Sequence, residues 1–422
     1  MNKFKILKTY LKERWLKKFK TREDVENYRN KMLNKHMKFL KDKSDYFKKL
    51  DFDSFEQLPY MNKDIMMKNF DTLNTVGIKK EEALELAINS EKTRDFTKKL
   101  NGISVGLSSG TSGHRGLFVL SDDEIESWVG MIVARVLPHN NIFKNKVAFF
   151  LRSDNNLYEG TNKIMKFKYF DILKDMDKNV YHLDEFKPTI LVAPPSVLMI
   201  LAKYAQDGKL KINPIKVISV AEVLTNEDSE YLKKVFNQKY IFQIYQCTEG
   251  FLGYTCECGS LHINEDVVYI EKEYIDEKRF IPIVTDFFRT TQPIIRYRLN
   301  DILVESDKKC ECGSPFMVIE KIEGRMDDVF LFDGKNKEVN VFPDFISRCI
   351  IYVPGIREYK VYQKSKKDII VYLDNLDFQV MAKINQEFEK LANKMNFEKP
   401  NIEFLKYQSN LSKKMKRIER GF

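Results

Sequence analysis

The sequence predicts an α/β protein with parallel strands, followed by a smaller α+β segment. Two observations carry that reading. Between 180 and 250, strand-length apolar runs alternate with helical ones: Thr189 to Ala193, Ser196 to Tyr204, Val217 to Val220, Asn226 to Phe236 and Tyr240 to Tyr245. Such alternation places helices between strands, and the resulting crossovers make the strands parallel. From 267 to 333 the pattern becomes strand-rich, and beyond Gly324-Arg325 a shorter mixed segment runs to residue 422. A chain of 422 residues exceeds one typical core, so one large and one small domain are expected.

Composition narrows the class. Charged residues make up 31% and apolar ones 43%, which fits a soluble globular protein and excludes a disordered one. The most apolar stretch, Ile190 to Ala202, is too short to cross a bilayer and contains Pro194 and Pro195, so no membrane span is expected. Basic residues near Met1 are not followed by an apolar signal core, and a cytoplasmic location is the expectation. The net charge of +10 is concentrated: residues 1–50 hold 17 Lys or Arg against 6 Asp or Glu. In that lead Phe4, Leu7, Tyr10, Leu11, Trp15 and Phe19, then Val25, Tyr28 and Met32, recur at helical spacing, with Thr21 placed to cap a second helix. The expectation is a basic helical hairpin packed on a body rather than an arm for a nucleic acid or a lipid surface, with no nucleic acid as partner.

Several short clusters carry chemistry. Ser108-Ser109-Gly110-Thr111-Ser112-Gly113-His114-Arg115-Gly116 lies between the alternating run Ile103, Val105, Leu107 and the apolar Leu117 to Leu120. Glycines let backbone N–H groups converge on an anion, and adjacent hydroxyls add donors for phosphate oxygens. A P-loop is excluded, because that motif needs Gly-Lys-Ser/Thr opening a helix and a strand follows here. Ser121-Asp122-Asp123-Glu124 then forms a capping box ahead of a helix through Val136. Further polar clusters stand at the ends of apolar strands, where an α/β sheet presents its ligand site: Tyr245-Gln246-Cys247-Thr248-Glu249-Gly250 and Tyr297-Arg298-Leu299-Asn300-Asp301. Glu323-Gly324-Arg325-Met326-Asp327-Asp328 and Ser412-Lys413-Lys414-Met415-Lys416-Arg417 complete the series. Cys256-Glu257-Cys258-Gly259 and Cys310-Glu311-Cys312-Gly313 can each fold two thiolates toward one ion, which suits a metal better than a disulfide framework.

In order and spacing these clusters resemble the adenylate-forming superfamily of acyl-CoA synthetases over about residues 100 to 418. The likeness is greatest to the phenylacetate-CoA ligase branch and its deazaflavin-coenzyme adenylylating relatives. It implies a large adenylate-forming domain of mixed sheets and flanking helices over 1–325, with the basic lead at 1–50 and a strand-rich, zinc-bearing segment at 254–315. A small mobile C-terminal α+β domain over 326–422 is implied to turn at a hinge on Asp327. By the same resemblance, Ser109, Gly110, Thr111, Ser112 and Gly113 hold the β- and γ-phosphates of ATP. Thr248 approaches the α-phosphate, Glu249 takes magnesium, and Ala221, Glu222 and Tyr245 surround adenine. Asp301 accepts the ribose hydroxyls, Arg325 reaches ribose or phosphate, and Lys414 is the catalytic lysine, with Lys413 a near alternative.

The resemblance also implies a structural zinc held by Cys256, His262, Cys310 and Cys312, with Cys258 able to replace Cys256 or His262. The implied reaction joins a small carboxylic acid to AMP, then passes the acyl group to coenzyme A or a carrier protein's phosphopantetheine. Transfer to an amine or hydroxyl, transfer of AMP itself, and a degenerate scaffold remain alternatives. The acid pocket is expected around Phe149 to Arg152, Ser219 to Val223 and Cys247 to Tyr254, with Phe251 and Tyr254 either walling it or packing in the core. The acid and the oligomeric state stay open.

Overall fold

The computed structural model describes residues 2–16, 18–108, 116–138, 145–151, 166–334, 337–351, 353–356, 358–408 and 414–422. The chain forms two compact units. The first comprises Met1–Leu224, Asp228–Leu299 and Val304–Lys321; the second comprises Thr225–Glu227, Asn300–Leu303 and Ile322–Phe422.

The first unit opens with α1 (Lys3–Leu11), which runs into a π-helical turn over Lys12–Leu16, and α2 (Arg22–Lys43). Thr21 and Asp24 form a reciprocal capping box at the start of α2, satisfying donors that would otherwise be orphaned. Short helices α3 (Asp45–Lys48), α4 (Lys63–Lys68) and α5 (Phe70–Leu73) lead to α6 (Lys80–Thr93). A small antiparallel sheet follows, of β1 (Lys99–Leu100), β2 (Ile103–Leu107) and β3 (Leu117–Leu120). Ala83 and Ala87 of α6 pack with Leu117 and Val119 of β3 over Phe70 and Ile78. Next comes α7 (Asp122–Val136), capped by Ser121 and Glu124 as its sequence requires.

The large sheet contains β4 (Lys146–Leu151), β5 (Lys166–Asp171), β6 (Ile190–Ala193), β7 (Lys216–Val220), β8 (Phe242–Cys247), β9 (Gly250–Thr255), β10 (Leu261–Ile263), β11 (Val268–Tyr274), β12 (Arg279–Asp286), β13 (Tyr297–Arg298), β14 (Asp301–Glu305) and β15 (Val318–Arg325). Its order is β11-β12-β14-β15-β10-β9-β8-β7-β6-β4-β5, with β13 paired to β12. From β8 to β5 all neighbours are parallel, as the alternating pattern predicts. Helices α8 (Met176–Phe186), α9 (Pro195–Gln206) and α10 (Asn226–Val235) provide the crossovers. Strand β7 is buried at every position, consistent with cover on both faces.

The basic lead packs on the body through one side of α1. Ile6 and Tyr10 are buried, Ile6 against Ile125 and Val129 of α7, whereas Phe4, Leu7, Leu11 and Trp15 face outward. The cause is Gly130, where an added Cβ would come within 2.7 Å of Thr9 Cβ and 2.9 Å of the Ile6 carbonyl oxygen. This close backbone approach fixes which side of α1 meets α7.

In the second unit β16 (Phe330–Asp333) and β17 (Glu338–Val341) form a hairpin, joined by α11 (Pro343–Ile351) and α12 (Phe378–Met395). Strands β18 (Tyr359–Gln363), β19 (Asp368–Leu373), β20 (Asn401–Lys406) and β21 (Ile418–Arg420) make a sheet ordered β20-β19-β18-β21. Phe330, Phe332, Ile346, Val361, Val371, Ile384 and Phe388 give this unit a core of its own.

Candidate functional site

The carboxyl ends of the parallel strands assemble the candidate site of the first unit. Cys247 pairs with Gly250, so Thr248 and Glu249 are the two loop residues of a tight hairpin between β8 and β9. Gly250 is required there, because a Cβ would lie 2.6 Å from the Asp286 carboxylate. The Thr248 hydroxyl donates to Glu249 at 2.9 Å. Tyr297 bonds the same carboxylate, and burial followed by the Glu249 charge raises its pKa far above the ordinary phenol value. Tyr297 therefore stays protonated and donates.

Facing this hairpin is the neck of the hydroxyl-rich loop. Ser108 N–H donates to the Gly116 carbonyl and Gly116 N–H to the Ser108 hydroxyl, both at 2.7 Å. Ser109, Gly110, Thr111, Ser112 and Gly113 lie outside the described residues, as do Lys413 and Arg152. Ser108, Gly116, Thr248, Glu249 and Tyr297 line one cleft together with Lys63, Arg289 and Gln292. Lys63 opens α4, whose N-cap Asn62 accepts the Ile65 N–H at 2.9 Å. It places an ammonium stem beside Gly116, whose Cβ would meet Lys63 Cε at 3.4 Å.

The segment 286–292 clamps these parts. Arg289 donates to the Thr248 carbonyl at 2.5 Å and to the Val119 carbonyl at 3.5 Å. Gln292 accepts the Val119 N–H at 3.0 Å and donates to the Leu117 carbonyl at 3.2 Å. Glu124 accepts the N–H groups of Thr290 at 2.6 Å and Thr291 at 2.8 Å, and also the Thr291 hydroxyl. Burial works to raise the Glu124 pKa, but these bonds hold it below the ordinary carboxylate value. Lys63, Arg289 and Gln292 thus line the candidate site from outside the sequence clusters, and Tyr297 joins them from a cluster in which only Asp301 carries an expected role.

At the end of β7, Ala221 adopts φ +67°, a left-handed conformation uncommon for a residue with a side chain. Glu222 then accepts the Ser196 N–H at 3.1 Å in the first turn of α9. Tyr245 is buried beside a register shift in the β8–β9 pairing. Phe251, 1% exposed, takes the packing role: the Arg135 guanidinium lies 5.9 Å from its ring and 5.8 Å from that of Tyr254. Arg135 in turn is paired with Glu13 at 2.7 Å and Asp266 at 2.6 Å.

The second unit holds the remaining candidates. Asp301 and Arg325 pair at 3.4 Å. Asp327 lies in the short turn Met326–Asp328 after β15. Lys416 pairs with the buried Asp328 at 2.9 Å, whose pKa burial raises against the pull of that ammonium. Lys414 is partly exposed, two residues before that anchored lysine.

The cysteine pairs converge within the first unit. Donor atoms of Cys256, His262, Cys310 and Cys312 all lie within 4.8 Å of one another, and Cys258 stands outside the group. Each Cys-Glu-Cys-Gly segment closes a tight turn, through Gly259 N–H to the Cys256 carbonyl at 2.9 Å and Gly313 N–H to the Cys310 carbonyl at 3.2 Å. Both glycines have positive φ, +84° and +73°. Cys256 and Cys310 sulfurs are 3.5 Å apart, and Cys312 Sγ is 3.4 Å from His262 Nε2. A tetrahedral zinc sets such edges at roughly 3.5–3.8 Å. His262 Nδ1 meets the Phe316 carbonyl at 3.1 Å, which assigns the proton to Nδ1 and leaves Nε2 for a metal. Cys310 is already held down to about 6: burial pushes its thiol up, but the Ser260 hydroxyl, the Cys312 N–H and His262 favour the thiolate. These four residues can hold a closed, structural zinc.

Similarity to solved structures covers nearly the whole chain. 2-Hydroxyisobutyryl-CoA ligase, in its postadenylation state with 2-HIB-AMP, superposes with a TM-score of 0.70 over 97% of this chain and 94% of that one, at 13% identity. The chain has the fold of the adenylate-forming ligases. The same ligase fold in the amide bond synthetase McbA from Marinactinospora thermotolerans gives a TM-score of 0.52, over 74% of this chain and 67% of that one at 12% identity. Protein CapK of Staphylococcus aureus is 23% identical over 408 residues, 87% of this chain and 83% of CapK. No family model matches the sequence. Thr248 and Glu249 line the cleft at the end of β8.

Proposed function

We propose that this protein is an ATP-dependent ligase that adenylates a carboxylic acid and passes the acyl group to a thiol, either coenzyme A or a carrier-protein arm. The observation that carries the reading is the cleft in which the Thr248-Glu249 hairpin faces the pinched neck of a hydroxyl-rich loop and the Lys63 stem, on a ligase fold. In the first step an acid oxygen attacks the α-phosphorus of ATP. A new P–O bond forms, the bond to the β-phosphate bridging oxygen breaks, and pyrophosphate leaves with the electron pair. The barrier is one of alignment and charge, so fixed donors and cations suffice.

In this reading Ser109, Gly110, Thr111, Ser112 and Gly113 hold the outer phosphates and Lys63 adds a cation. Thr248 orients the α-phosphate, while Ala221, Glu222 and Tyr245 surround adenine. Asp301 and Arg325 serve the ribose, and Lys414 supplies an ammonium for the charge growing on the acid and α-phosphate. Magnesium, held by Glu249, would neutralise phosphate charge. In the second step a thiolate attacks the acyl carbon and AMP leaves. Zinc on Cys256, His262, Cys310 and Cys312 would tie β9, β10 and the segment before β15 together without entering the chemistry.

A second reading, transfer to an amine or hydroxyl, is favoured by the fold shared with an amide bond synthetase. One experiment tests adenylation and separates the acceptors. The chain is incubated with ATP, magnesium and a panel of acids, and the mixture is analysed by mass for an acyl adenylate. Coenzyme A, a carrier domain and amines are then added in turn. An adenylate consumed by a thiol supports the proposal, and one consumed only by amines selects the second reading. ATP binding with no adenylate from any acid would leave a scaffold.

A further inference from the structure

We infer that α1 and the turn that extends it dock this protein on an anionic lipid surface, with the helix lying in the plane of the headgroups. The helix has two apolar sides and the body uses one. Ile6 and Tyr10 are buried toward α7, while Phe4 is 76% exposed, Leu7 44%, Leu11 40%, Trp15 54% and Leu16 78%. At about 100° per residue, Phe4, Leu7 and Leu11 fall within roughly 60° of one another, and the sequence places Lys8 and Lys12 on one flank and Lys3 on the other. All three lysines are exposed. Lys5, by contrast, is tied to Asp123 at the start of α7.

Single exposed apolar residues need no explanation, but five within one short stretch do. The helix is held on α7 by Ile6 and the approach at Gly130, and of the five exposed residues Trp15 also packs edge-on against Tyr10 at 5.5 Å. An apolar stripe rimmed by lysines, with a tryptophan near its end, matches the interface between acyl chains and anionic headgroups. Charge argues against the other occupants. Residues 1–20 hold eight Lys or Arg and one acidic residue, so pairing with a second copy would set like charges together. Nucleic acid would use the cations and leave the apolar stripe in water. Among the described residues no helix is long and apolar enough to cross a membrane, so the contact is with the surface.

The test is co-sedimentation of the full chain with vesicles of phosphatidylcholine containing 30% phosphatidylglycerol, against phosphatidylcholine alone, at about 0.1 M salt. The expected result is at least tenfold stronger partitioning to the anionic vesicles, lost in about 0.5 M salt. Phe4→Ser/Leu7→Ser/Leu11→Ser should lower partitioning at least tenfold with charge unchanged. Lys3→Gln/Lys8→Gln/Lys12→Gln should lower it by about fivefold per lysine. In a Trp128→Phe background Trp15 is the sole tryptophan, and brominated lipid should quench it. Far-ultraviolet dichroism should be unchanged in every variant. Equal partitioning to both vesicles, no partitioning, or a serine variant that binds like the parent would overturn the proposal. So would a parent dimer that the serine variant makes monomeric, since the stripe would then be a subunit contact.

Discussion

Replacing Arg289 with methionine removes the clamp beneath the candidate site while keeping most of its stem. The side chain is 7% exposed, bonds the carbonyls of Thr248 and Val119, and lies beside the buried Asp286. Asp286 accepts N–H bonds from Phe288 at 2.7 Å and Arg289 at 3.1 Å; burial nevertheless lifts its pKa to about 6, against the pull of the Arg289 charge. Arg289→Met abolishes two charge-assisted bonds and removes the cation that faces Asp286, a loss of about 3–5 kcal/mol. With an unfolding entropy of about 2.1 cal/mol/K per residue over roughly 300 residues, that loss lowers the first unit's calorimetric midpoint by about 5–8 °C at pH 7.5. The pH dependence has a definite sign. Without Arg289 the folded-state pKa of Asp286 rises further above its unfolded value, so the penalty grows as pH increases and shrinks toward pH 5, where the group is protonated. A midpoint within about 1 °C of the parent, or a deficit that deepens in acid, would refute the reasoning.

Three further outcomes follow from other parts of the molecule. His36 is buried, its Nε2 meets no partner among the described residues, and burial followed by the Lys35 charge pushes its pKa down to about 4. A neutral imidazole below its unfolded pKa stabilises fully above about 6.5 and is lost toward 4, so about 3 kcal/mol of urea stability should vanish between pH 7.5 and 4; a His36→Phe variant with the same acid slope would contradict this. Metal analysis of the purified chain should find one zinc, retained by Cys258→Ser and lost by Cys312→Ser, with a lowered thermal midpoint on chelation; retention by Cys312→Ser would remove the proposed ligand set. Lys63→Ala should raise KM for ATP about tenfold, the scale of one charge-assisted phosphate contact, with kcat changed much less, and an unchanged KM would take Lys63 out of the site.

Local signals were legible where the chemistry is local. The Ser121/Glu124 box starts α7, and the alternation from 189 to 245 yields the parallel strands β6, β7 and β8. The two Cys-Glu-Cys-Gly segments close the turns that their glycines suggest. Long-range partners left no such trace: Gln292 and Val119 are 173 residues apart, and Arg289 and Thr248 are separated by 41. Tyr297 stands within a cluster noted for Asp301, but its bond to Glu249 depends on the β12–β13 pairing. In α1 the apolar positions recur at helical spacing, but which of them are buried depends on the close approach at Gly130 and on the contacts of Ile6 and Lys5 with α7, none of which is local in the sequence. Lys414 and Lys416 stand two residues apart in one basic run, and the pairing of Lys416 with the buried Asp328 left no mark in the sequence.

The central claim is activation of an acid on the α-phosphorus of ATP, and exchange of labelled pyrophosphate into ATP measures that step directly. Label should enter ATP only when a suitable carboxylic acid is present, and Glu249→Gln should lower the rate about a hundredfold or more. Silence across a broad acid panel while ATP still binds, or exchange that proceeds equally without acid, would contradict the account.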